Sequence, residues 1–184
     1  MNKTKFSVRD MAFCAVGAVL LAICAWISVP VLEIAFTLQT FGVCLILGTL
    51  GGKRGTVSIV VYLLLGAVGL PVFTGFRSTA ALVGVTGGYI VGFVFSGLVY
   101  WLVTALAKDK LWSRALGMVL GLAVCYAFGS GWFYGLYLRG GKTITLAAVL
   151  LKCVTPYLLP DAVKIVLAFV LSLRLRPLLE RTRG

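Results

Sequence analysis

Histidine is absent from the 184 residues, and acidic side chains number only five. The first absence removes imidazole acid–base catalysis, imidazole metal ligation and histidine-based pH switching. Charged residues of both signs reach only 12%, about half the share usual in soluble domains (~25%). In their place stand 61% hydrophobic residues and a mean hydropathy of +1.08. Seventeen Lys and Arg leave a formal charge of +12, but they come in short clusters between long uncharged stretches. That pattern excludes a water-soluble globule. It also excludes a basic nucleic-acid-binding domain, whose charges would line one face of an otherwise polar surface.

The uncharged stretches set the expected architecture. Residues 11–32, 34–52, 55–76, 78–107 and 115–138 carry no charge, and each exceeds the roughly 18 residues that mark a transmembrane helix. A sixth stretch, 154–173, is interrupted only by Asp161 and Lys164. Together they predict an all-α integral membrane protein with six transmembrane helices, residues 1–184 forming a single transmembrane domain. If the helices alternate in direction, one side holds twelve cations, around 3–9, 53–54, 108–114 and 174–183. The other side holds four, Arg77, Arg139, Lys142 and Lys152. By the positive-inside rule both termini are cytoplasmic, and the excess charge serves topology and contact with anionic lipid headgroups. The five cysteines are scattered singly, which argues for buried free thiols rather than disulfides or a zinc site.

Several local signals refine this picture. Glu33, Thr37 and Gln39 delay the start of the second span to about Gln39. Gly66, Gly69 and Pro71 end the third. The stretch from Arg139 to Lys152 is too interrupted to span and suits an outer loop with a short amphipathic helix over 143–151. Gly51-Gly52-Lys53-Arg54 lacks the leading glycine (Leu47 stands there) and the Ser/Thr after lysine, so it is no phosphate-binding loop. Any ATP-driven step therefore belongs to a partner. No nucleophile–base pair is recognisable, and the chain reads as no enzyme.

Ionisable groups in hydrocarbon cost about 2.5–3.5 kcal/mol on insertion scales and mark functional sites. Asp161 and Lys164 are three apart, hence on one helix face, and Pro160 before Asp161 suits a first helical turn. The other unusual polar residues fall, under this topology, at the same outer end: Thr37, Gln39 and Thr40, then Phe73 to Arg77, then Thr86-Gly87-Gly88-Tyr89, then Pro156 to Asp161. A pocket open to the exterior explains their convergence. Arg77 or Lys164 would meet a ligand carboxylate, Asp161 and Gln39 would pair with amide-type groups, and Phe73, Tyr89, Tyr157 and Trp132 would supply apolar walls. On the first span, Ala12, Ala15, Ala18, Ala22 and Ala25 form a small-residue stripe that serves either internal packing or docking of a partner helix.

The strings Phe36-Thr37-Leu38-Gln39-Thr40, Tyr62-Leu63-Leu64-Leu65-Gly66-Ala67-Val68-Gly69-Leu70-Pro71-Val72-Phe73, Thr86-Gly87-Gly88-Tyr89 and Pro160-Asp161 followed by Lys164 resemble the BioY family. These are the biotin-specific substrate-binding (S) components of energy-coupling factor transporters. The chain departs from the family at Val85, usually proline, and at Gly75-Phe76-Arg77, often glycine-rich. The resemblance implies a multi-pass protein of the prokaryotic cytoplasmic membrane that captures biotin at the outer face and holds no cofactor. Its implied partners are a transmembrane coupling (T) protein and two ATPase subunits, which alone bind ATP. It further implies Asp161 and Lys164 in ligand contact, and Ala12, Ala15, Ala18 and Ala22 at the partner interface. Together with the converging outer segments, the expected substrate site is Thr37, Gln39, Phe73, Arg77, Thr86, Gly88, Tyr89, Tyr157, Asp161 and Lys164. An S component for thiamine or riboflavin, or a membrane assembly protein without a ligand, are the alternative readings.

Overall fold

The computed structural model describes residues 7–30, 34–141 and 143–181. Glu33, Lys142 and the terminal cations Lys3, Lys5 and Arg183 lie outside the described residues. Helix α1 (Val8–Trp26) opens with a capping box in which Ser7 and Asp10 satisfy each other's backbone amides. Two antiparallel strands of two residues each, β1 (Ser28–Val29) and β2 (Phe36–Thr37), precede α2 (Gln39–Ala67). Then come a single 3-10 turn (Thr74–Phe76), α3 (Thr79–Val83), α4 (Gly87–Leu106), α5 (Leu111–Arg139), α6 (Leu146–Cys153) and α7 (Thr155–Arg181). Among the described residues, α1, α2, α4 and α5 are long and apolar enough to cross a membrane. The chain is a predominantly helical membrane protein.

Helix α2 is two rods. Gly51 has φ +81°, ψ 169°, a conformation open to glycine because it has no side chain to clash. The chain reverses there: Gln39 at the start of α2 bonds to Tyr62 near its end, and Leu47 lies against Gly55. Helices α4 and α5 likewise run antiparallel, with Gly88 on Trp132, Gly92 on Cys125 and Gly117 on Tyr100. Such small-residue seams let helix backbones approach where lipid supplies no hydrophobic push. Hydroxyls inside the bundle return to backbone carbonyls, as when Ser96 donates to Gly121 O across the α4–α5 seam at 2.7 Å.

This packing sorts polar residues to the two ends. One end gathers Gln39, Tyr62, Thr74, Thr86 and Asp161. The other gathers the Arg54–Asp10 ion pair (2.6 Å) and Asp109, which binds both Arg114 and Arg176. Between them the outward faces are apolar, with Val16, Leu102, Val119, Val166 and Leu167 all more than half exposed. That surface suits lipid.

Two expectations are corrected. The 78–107 stretch divides at Gly84 into α3 and α4, because uniform apolarity does not mark where a helix breaks. The alanine stripe divides too: Ala12 and Ala15 are exposed, but Ala18, Ala22 and Ala25 are buried in the α1–α2 contact. A quarter turn separates the two sets.

Candidate functional site: a polar-floored cavity at one end of the bundle

At the end holding Gln39 and Asp161, α2, α4, α5 and α7 surround a small cavity of about 70 Å³ that opens to solvent. Asp161 is its central polar group. Lys164 Nζ donates to Asp161 Oδ1 at 2.7 Å, and Tyr126, reaching from α5, donates its hydroxyl to Oδ2 at 2.6 Å. The acid's side chain is 5% exposed and the lysine's 14%, so the pair compensates two charges held largely away from water. Tyr157, Asp161, Lys164, Ala168 and Ser172 follow one another at helical spacing on the inward face of α7. The opposite face, with Leu159, Val163 and Val166, is open.

Gln39 forms the second polar center. Its amide Nε2 donates to Tyr62 Oη at 2.8 Å. Its Oε1 accepts from Thr37 (3.2 Å) and Thr74 (3.0 Å) hydroxyls. Three chain segments thus hold one amide in place. Thr40 and Thr86 add hydroxyls, and Ile34, Ala81, Ile90, Phe93 and Leu122 supply apolar wall.

Of the ten residues expected at the site, Thr37, Gln39, Thr86, Tyr89, Asp161 and Lys164 line the cavity. Four do not. Phe73 is fully buried beneath Tyr62, edge-on at 5.2 Å, and pressed on Gly66; it is core. Arg77 is exposed and off the cavity. The 73–77 turn closes on itself through Phe73 N–H to Arg77 O (3.0 Å) and leans on α1, where Phe76 stacks on Trp26. Gly88 is the α4–α5 contact: a Cβ there would lie 2.3 Å from Trp132. Trp132 itself donates to Gly84 O rather than forming a wall. Tyr157 acts one step removed, since its hydroxyl donates to Ile34 O and its ring stacks on Phe36 at 4.5 Å, fixing backbone that lines the cavity.

Asp161 also lies deeper in its helix than its neighbour Pro160 suggested. Helix α7 starts at Thr155, with Pro156 in its first turn and Pro160 inside, so Asp161 lies beyond the first turn. Tyr126 was missed altogether. A tyrosine near the middle of an apolar stretch, far from the interfacial belt where tyrosines gather, was the available signal.

The BioY family model matches residues 1–181. The chain belongs to the BioY family. A biotin transporter BioY of Thermotoga maritima is 37% identical over 173 residues, 93% of this chain and 98% of that one. A probable biotin transporter BioY of Pyrococcus horikoshii is 32% identical, covering 91% and 96%. The crystal structure of the S-component for biotin from an ECF-type ABC transporter superposes with a TM-score of 0.81 at 24% identity, over 96% of this chain and 94% of that one. The two folds therefore agree over nearly the whole chain.

Proposed function

We propose that this chain is the substrate-specificity subunit of an energy-coupling-factor biotin importer, capturing biotin in the Asp161 cavity. The observation that carries this reading is the ion-paired Asp161, buried in a cavity of mixed polar and apolar lining, in a BioY chain. Biotin offers a ureido ring with two N–H donors and one carbonyl, an apolar thioether ring and a carboxylate tail. The Asp161 carboxylate accepts ureido N–H, Lys164 and the Gln39 amide donate to oxygen, and Ile90, Phe93 and Leu122 enclose the thioether ring. With Arg77 off the cavity, Lys164 is the cation within reach of the ligand.

In this reading six rods cross the membrane: α1, the two halves of α2, α4, α5 and α7, as one domain. Both termini are cytoplasmic and the cavity opens outward, because the twelve-cation end is cytoplasmic. The protein binds its ligand and no cofactor. A coupling protein docks on the exposed side of α1 at Ala12 and Ala15, and two ATPase subunits supply the energy. The test is mass spectrometry of small molecules that co-purify with the detergent-solubilised protein, joined to thermal shift with biotin, thiamine and riboflavin, since a ligand that binds only the folded state raises its melting temperature. Biotin alone co-purifying and stabilising is the expected outcome; stabilisation by thiamine or riboflavin instead reassigns the vitamin.

A further inference from the structure

Tyr126 stands on the far wall of the cavity from α7, and nothing in the capture of biotin described above employs it. Its hydroxyl reaches Asp161 Oδ2 at 2.6 Å, within the short range of charge-assisted O–H···O⁻ bonds. Helices α5 and α7 otherwise meet only sparsely, and among the described residues this bond ties them at the cavity. Lys164 alone would not fix the carboxylate, because it lies three residues away on the same helix and the terminal torsion of an aspartate is broad. A second donor from another helix restrains that rotation. Each carboxylate oxygen can accept two hydrogen bonds. With Lys164 on Oδ1 and Tyr126 on Oδ2, each keeps one place open.

We propose that Tyr126 is a positioning residue which, from α5, holds the Asp161 carboxylate with its open acceptor places toward the cavity and so selects ligands that present N–H donors. The inference rests on the biotin reading. It makes the tyrosine hydroxyl a determinant of specificity that never needs to touch the ligand.

The test compares wild type, Tyr126→Phe, Asp161→Asn and the double variant by calorimetric titration with biotin and with a biotin methylated on its ureido nitrogens, alongside melting temperature. Tyr126→Phe keeps the ring and is expected to weaken biotin about tenfold, the scale of one hydrogen bond to a charged group. It is expected to weaken the methylated analogue far less, so the preference for biotin shrinks, and to add little loss to Asp161→Asn. A merely structural role would weaken both ligands alike and add fully to Asp161→Asn, which overturns the inference, as does a Tyr126→Phe protein that binds biotin like wild type. Wild-type protein that takes no biotin overturns the biotin reading and this inference with it.

Discussion

Replacing Asp161 by asparagine keeps the shape of the side chain and removes its charge, which separates what the residue does for folding from what it does for binding. At 2.7 Å from Lys164, with an effective dielectric of about 20, the gross attraction is about 6 kcal/mol. Burying both ions opposes this by several kcal/mol each. The net worth of the intact pair is therefore small, but an abandoned Lys164 retains its desolvation cost, and breaking such a pair from one side costs about 3–5 kcal/mol. Asp161→Asn should accordingly melt well below wild type, and Asp161→Asn with Lys164→Met should recover most of that loss. Binding should behave differently. A lost N–H bond to a charged acceptor removes about 1.5–3 kcal/mol, or roughly tenfold to 150-fold in Kd, in the single variant, and the double variant, which also gives up the Lys164 donor, should bind weaker still. Calorimetric titration with biotin and melting in the same detergent measure both quantities. A double variant that regains biotin affinity together with stability would refute the reasoning, as would Asp161→Asn binding at wild-type strength.

Other outcomes follow from the placements above. Arg77→Ala, a change at an exposed position off the cavity, should leave the biotin Kd within about twofold in the same titration, an effect below roughly 0.5 kcal/mol. Phe73→Ala empties a fully buried aromatic site and should cost about 3–5 kcal/mol of stability, read as lowered melting temperature in biotin-free protein. At the other end of the bundle, burial raises the Asp109 carboxyl's pKa, but Arg176 and Arg114 outweigh it and hold the pKa below 3.8. Its folded-state pKa is thus depressed, so its stabilisation is present above about pH 4 and is lost as pH falls through the folded value; Asp109→Asn should flatten that acid limb in pH-dependent melting. Ala12→Leu with Ala15→Leu, on the exposed side of α1, should abolish co-purification of the coupling protein while biotin binding persists.

Much of this was legible in the chain because hydrocarbon makes harsh demands. The charge-free stretches located α1, both halves of α2, α4 and α5, and the rarity of buried charge singled out Asp161 and Lys164. The convergence of Gln39, Thr86 and Asp161 followed from alternating spans. Side-chain direction was harder. Phe73 and Gly88 sit beside cavity residues in sequence but face the core and the α4–α5 seam, and a stripe written in alanines says nothing of which turn meets α2. The basic Lys53-Arg54 segment read as a turn between two spans, and the chain does reverse there, with only Gly51 outside helical geometry. Tyr126 escaped notice because its role depends on a partner 35 residues away, a pairing that only the folded bundle creates.

The most direct measurement is a structure of the purified protein with biotin bound. The expected result is a single biotin per chain with its ureido ring within hydrogen-bond distance of Asp161 and Lys164 and its carboxylate toward the open side of the cavity. Biotin held elsewhere, as in the cavity beside Arg54 and Arg176 at the opposite end, or an Asp161 cavity that stays empty at saturating biotin, would contradict it.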